Sequence, residues 1–165
     1  MNLIADDIMT RPVISVRQDT PVREMMALLH EKQISGVPVV DPFDRLVGVV
    51  SMTDLLSVST DLEHASEITE SDFHTSPAMD GLSRAAGLLQ PDEAILDHPI
   101  SDLMSPNVIT VNPGATIGEL SDKLVTHQIH RVIVVQDNRV VGIVSVTDIL
   151  RTLRDRFHVS ARGTE

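Results

Sequence analysis

Two short stretches of this 165-residue chain carry side chains with chemical capability at a matching spacing. Ser51, Thr53 and Asp54 lie in GVVSMTDLL, residues 48–56, and Ser145, Thr147 and Asp148 lie in GIVSVTDIL, residues 142–150. A serine at a helix start with an acid three residues on is a capping box, which satisfies amides that otherwise lack partners. A helix start is also where a phosphate or a sugar hydroxyl can be received. The same residues are therefore caps and candidate ligand groups.

Catalysis does not follow from them. The chain has no nucleophile elbow, no GxxxxGK phosphate loop and no HExxH. Nothing in the sequence sets the pKa values of Asp54 and Asp148 apart, as an acid–base pair requires. His127 and His130 are three apart, but helical geometry is expected to break between them and no third ligand accompanies them, so no metal is expected. Cysteine is absent, which removes disulfides and thiolate chemistry. The expectation is a protein that is not an enzyme and requires no cofactor.

The elements that must position these residues come in two copies. Asp7 matches Asp102, Met9 matches Met104, Val13-Ile14 match Val108-Ile109, Gln33-Ile34 match Gln128-Ile129 and Val39-Val40 match Val134-Val135. One residue is lost between DPFDRL in the first copy and QDNRV in the second, a change that a surface turn tolerates. Such recurrence marks one supersecondary unit used twice, each too small to bury its apolar face alone. The organisation read from this is a first repeat over 1–56, an acidic, partly ordered connector over 57–99, a second repeat over 100–150 and a helical extension and tail over 151–165.

Within the first repeat, Asp6 or Asp7 is able to start a short helical turn. Val13 to Val16 reads as a strand, and Thr20-Pro21 as a helix start with the threonine as cap. Val22, Met25, Met26 and Leu29 keep helical spacing. Ser35-Gly36 is expected to end that helix, before strands over Val37–Val40 and Leu46–Val50 and a helix opened by Ser51. In the second repeat Asn112-Pro113-Gly114 makes a loop, Ile117, Leu120 and Leu124 the helical stripe, and Val132–Val135 with Val140–Val144 a hairpin. Leu150, Leu153 and Phe157 extend the last helix. The connector holds nine acidic residues against Arg84 alone, with short helices expected over 82–89 and 93–96.

A hydrophobic content of 42% with 22% charged residues is globular, and 2% aromatics leave an aliphatic core with little provision for stacking bases. The net charge of −11 argues against nucleic acid or an acidic membrane as partner. MNLIADD lacks the basic and apolar run of a leader, and no apolar segment approaches a bilayer span. The expected location is cytoplasmic.

Paired units with a VPVV-type strand, a turn and GhhSxxD opening a helix resemble the tandem cystathionine β-synthase (CBS) domain pair, or Bateman module. The matching words are SGVPVVD and GVVSMTDLL in the first copy, and HRVIVV and GIVSVTDIL in the second. The resemblance implies an α+β fold of two pseudo-symmetric β-α-β-β-α repeats packed together through small sheets. It implies a regulatory module that binds AMP, ADP, ATP, S-adenosylmethionine or NAD in clefts between the repeats, and that associates as a homodimeric disk.

By that resemblance Asp54 and Asp148 would accept hydrogen bonds from ribose hydroxyls, since a carboxylate offers several acceptor positions to two neighbouring hydroxyls. Ser51, Thr53, Ser145 and Thr147 would reach ribose or phosphate. His130 and Arg131 stand where the family often places a phosphate-binding cation, and the arginine fork suits phosphate geometry. The first copy has Ser35 and Gly36 there, so a charged phosphate should prefer the second unless cations cross over from the other repeat; a surface ion pair is the competing reading of Arg131. Ile14, Ser15, Val16 and Ile109, Thr110, Val111 would lie beside the adenine, with Val37 and Pro38 on the first-copy strand as further candidates; ordinary strand core is the competing reading for these. The rival function is a protein–protein interaction module without a nucleotide, with Leu150, Leu153 and Phe157 as its surface.

Overall fold

Runs of β-branched residues become the strands. The structure is a computed structural model describing residues 3–56 and 93–160, without the side chains of 53, 56 and 157–160. The sequence-predicted helix over 82–89 and the side chains of Thr53 and Phe157 thus lie outside the described residues, as does most of the connector. In chain order the elements are α1 (Ala5–Ile8), β1 (Val16–Arg17), α2 (Val22–Lys32), β2 (Gly36–Val40), β3 (Leu46–Ser51), α3 (Met52–Leu56) and α4 (Glu93–Leu96). A 3-10 turn (Ile100–Asp102), β4 (Thr110–Val111), α5 (Ile117–Thr126), β5 (Arg131–Gln136), β6 (Arg139–Ser145) and α6 (Val146–Ser160) follow. The fold is α+β with two three-stranded sheets, ordered β1-β2-β3 and β4-β5-β6. In each, a short outer strand runs parallel to the middle one and the last two form an antiparallel hairpin.

The chain divides into two compact units, Met1–Val13 with Ile109–Glu165, and Ile14–Val108. The lead-in of each sequence repeat thus belongs to the unit built on the other repeat. In the first unit the α1 amides of Ala5 and Asp6 donate to the carbonyls of Ala115 and Pro113 at 2.8 and 2.9 Å, and Thr10 exchanges two hydrogen bonds with Ile143 at 2.8 and 3.2 Å. The second unit repeats the pattern, because Ile100 and Ser101 donate to Thr20 and Gln18 at 2.9 and 3.0 Å and Ser105 exchanges two bonds of 2.9 Å with Val49. The glycine beside each bridge explains the matched methionines. A Cβ on Gly48 would stand 2.8 Å from the Ser105 carbonyl and 2.9 Å from Met104 Sδ, and one on Gly142 would overlap Met9.

Each unit has its own aliphatic core. In one, Ala5, Met9, Leu120, Leu124, Val132, Val134, Val144 and Ile149 pack together; in the other, Val22, Met25, Leu29, Val37, Val39, Val50, Leu55 and Ile100 do. The helical stripes expected on α2 and α5 are the faces that enter these cores.

Several local expectations are corrected. The strand read over Val13–Val16 begins only at Val16, where pairing with Val39 starts. Thr20 does not cap α2; Pro21 is the N-cap residue and offers no side-chain acceptor, while the Val22 amide donates to the His98 carbonyl at 3.0 Å. Asp7 does not start α1 but reaches back from its first turn, accepting the Ile4 amide at 3.0 Å. Ser35-Gly36 does not end α2, since Gln33 does so in a left-handed conformation, φ 53° and ψ 46°. Its twin Gln128 also has φ 53°. The following amides, Ile34 and Ile129, donate to the Leu29 and Leu124 carbonyls at 3.0 and 2.9 Å, which is a Schellman ending.

The hairpin turns differ as their lengths require. Asp137 and Asn138, with φ of 51° and 61°, make a two-residue turn whose twist suits the strands. The longer first turn is tied by Asp41, whose Oδ1 accepts the Phe43 and Arg45 amides at 2.8 and 2.9 Å. Those bonds, the Arg45 amide foremost, hold the Asp41 carboxyl below the usual carboxylate range.

Candidate functional site

Strand β6 passes into α6 with no linker, and a helix start leaves amides needing partners. Ser145 supplies its amide and hydroxyl to Asp148 Oδ2 at 2.9 and 2.6 Å, and the Asp148 amide donates back to Ser145 Oγ at 3.3 Å. The Val146 amide goes to the His130 carbonyl at 2.9 Å, so the end of the preceding turn closes the helix start. One carboxylate oxygen is thereby committed to the cap. The other, Oδ1, accepts from Arg151 Nη1 at 3.1 Å. Asp148 is 8% exposed, whereas the exposed Thr147 beside it faces solvent.

Arg131 enters from the facing strand. The β5–β6 register sets it opposite Ser145, and opposite residues of an antiparallel pair project from the same face. Burial pulls the Arg131 pKa down, yet an arginine remains cationic at neutral pH. A guanidinium partly withdrawn from water gains more from an anion than one fully hydrated. The arrangement therefore offers a hydroxyl, a carboxylate and a cation around one helix start. That set suits a polyol bearing an anionic group.

The first repeat reproduces the cap without the cation. Ser51 donates its amide and hydroxyl to Asp54 Oδ2 at 2.6 and 2.8 Å, and the Met52 amide donates to the Ser35 carbonyl at 2.9 Å. The residue opposite Ser51 is Gly36. Ser51 is buried while Ser145 is half-buried, and the acids are the reverse, with Asp54 half-buried and Asp148 buried.

Of the residues singled out beside the base, Ile109 lies nearest the Arg131–Ser145 end, its carbonyl accepting the Ile133 amide at 3.4 Å. Thr110 and Val111 lie farther along, paired with Ile133 and Val134. They line a groove of about 450 Å³ with Asn112, Ala115, Glu119, Asp122, Lys123 and Val135. In the other unit, Ile14 is 37% exposed and precedes β1, Ser15 is exposed, and Val16 is 8% exposed. Val37 is fully enclosed in the core and Pro38 is buried beside it. His130 contributes its carbonyl to the helix start, and its residue is exposed. His127 ends α5, and among the described residues no group of three His, Cys, Asp or Glu is placed to hold a metal. No helix among the described residues is long and apolar enough to cross a membrane.

Arg151 was not among the residues the sequence singled out. Its signal was available, since an acid and an arginine three apart on a helix face can pair.

Comparison with known proteins agrees with the duplicated α+β fold. The family model described as CBS domain matches residues 5–61 and 100–155. The solved CBS domain of a CBS domain containing membrane protein from Sphaerobacter thermophilus is 33% identical, with a TM-score of 0.65 over 91% of this chain and 87% of that one. The structure of CBSX2 in complex with AMP, a protein known from Arabidopsis thaliana, has a TM-score of 0.65 at 24% identity, covering 92% of this chain and 96% of that one. An uncharacterised protein of Methanocaldococcus jannaschii is 28% identical over 92% of this chain and 91% of its own length. The next three archaeal relatives are longer, and this chain spans 29%, 44% and 41% of them.

Proposed function

The chain belongs to the CBS-domain family, and from that premise we propose that it is a regulatory CBS pair holding an adenosine-containing ligand at the start of α6. The observation that carries the proposal is that the β5–β6 register sets Arg131 opposite Ser145, whose hydroxyl donates to Asp148. Asp148 takes the ribose hydroxyls, Ser145 and Thr147 reach ribose or phosphate, and Arg131 takes the phosphate. The candidates are AMP, ADP, ATP, S-adenosylmethionine and NAD. A ligand of this kind signals by binding one conformational or oligomeric arrangement better than another and shifting its population, with a homodimer as the assembly.

The test is thermal unfolding with each of the five ligands added separately. A ligand at a hundred times its dissociation constant adds about 2.7 kcal/mol, a shift of several degrees in a protein of this size. In Asp148→Asn the ligand-induced shift is expected to vanish. The cap is weakened as well, so the readout is the shift on adding ligand and not the midpoint itself.

A second reading has its own observation. Leu150 and Leu153 are 58% and 41% exposed, one turn apart on α6. They suit a protein partner, and a folded, ligand-free protein that none of the five ligands stabilises would favour that reading.

A further inference from the structure

We infer that Arg151 is an internal competitor for the ribose oxygen of Asp148, a side chain of the same helix that a ligand has to displace from the second-repeat site. The inference rests on the reading of Asp148 as the ribose acceptor. Asp148 Oδ2 already takes two donors from Ser145, at 2.9 and 2.6 Å. What remains for two adjacent hydroxyls is centred on Oδ1, and Arg151 Nη1 lies on that oxygen at 3.1 Å. A ribose that engages the free oxygen must displace the guanidinium.

The geometry makes that displacement cheap but not free. The Asp148 side chain is 9% exposed and that of Arg151 is 57% exposed, so the arginine can swing into water while the carboxylate stays in place. Such half-exposed pairs are weak, which is what a displaceable contact needs. The helix start does not depend on Arg151, because the cap uses the other carboxylate oxygen. In the first repeat Ser57 stands three residues after Asp54, so that sequence supplies no cation for the same contact.

Two arginines therefore act oppositely on the second site. Arg131 favours an anionic group, and Arg151 opposes any ligand that uses the carboxylate. A neutral nucleoside must expel Arg151 with no compensation, whereas the displaced Arg151 guanidinium, still on the same helix turn, acts as a nearby cation on the phosphate of a phosphorylated one. Arg151 thus shifts the preference towards phosphorylated ligands.

Adenosine is the probe, with AMP as reference, in calorimetric titrations of the full chain as wild type and as Arg151→Gln. Arginine and glutamine have similar helix propensity, so α6 is preserved. Adenosine affinity is expected to rise about two- to fivefold in the variant, and AMP affinity to change less. Raising salt from about 0.1 M to about 1 M shortens the screening length from roughly 10 to 3 Å. Adenosine should then bind wild type more tightly, and the variant should respond less. Adenosine binding that is equal or weaker in Arg151→Gln, with AMP still bound by wild type, overturns the competitor alone. Failure of both, and of ADP, ATP, S-adenosylmethionine and NAD, to bind either protein overturns the site reading, and the competitor with it.

Discussion

Asp148 and Arg131 differ in what their surroundings allow them to do. The carboxylate is tied to Ser145 before any ligand arrives, so it is already oriented and loses little freedom on binding. The arginine is a partly desolvated cation whose gain depends on an anion. Arg131→Gln should therefore weaken AMP by about tenfold or more, the scale of a hydrogen bond to a charged group, and leave adenosine nearly unchanged. Titrations of the two ligands check this, and equal losses for both would place Arg131 outside phosphate recognition.

At the scale of single elements, the helix ends carry costs that substitution can expose. Gln128 holds φ 53°, a conformation that side chains other than glycine adopt at a cost. Gln128→Gly should stabilise by up to about 1 kcal/mol, raising the melting midpoint by about 2–4 °C. The start of α5 has the opposite character. Thr116 Oγ1 accepts the Glu119 amide at 3.2 Å and Glu119 Oε2 accepts the Thr116 amide at 2.7 Å, a complete capping box where the first repeat has Pro21. The Thr116 amide, then its hydroxyl, holds the Glu119 carboxyl below its ordinary value of 4.5. A carboxyl lowered in the folded state stabilises above its unfolded pKa and loses that contribution as pH falls through the folded one. The stability difference between wild type and Glu119→Gln should thus be present at pH 7 and disappear below the normal carboxylate range. Denaturant titrations at pH 7, 5 and 3 would show it, and a difference as large at pH 3 as at pH 7 would contradict the assignment.

At the scale of the whole chain, each compact unit needs a lead-in from the other sequence repeat, and glycine makes the seat. All three close approaches to a Cβ on Gly142 are atoms of Met9, whereas on Gly48 the nearest is the Ser105 carbonyl. Overpacking of this kind costs about 1–3 kcal/mol. Gly142→Ala should be destabilising, and less so in a Met9→Ala background, with a coupling of about 0.5–3 kcal/mol in a double-mutant cycle. Gly48→Ala should be rescued less by Met104→Ala, because the backbone carbonyl remains. Additive effects at Gly142 would show that Met9 does not fill that seat.

The sequence by itself determined the duplicated α+β plan and the two Ser–Asp helix starts. Periodicity, glycine placement and a three-residue spacing are local properties, readable wherever a chain repeats them. It also carried Arg131 as a cation that the first repeat lacks. Only the tertiary structure decided which side chains share a face. The β5–β6 register put Arg131 opposite Ser145, and the β4–β5 register set Thr110 and Val111 beside Ile133 and Val134, since a pairing register is set by packing between distant strands. The lead-ins crossed to the other repeat because Gly48 and Gly142 make room for Met104 and Met9, a complementarity that no window of sequence contains.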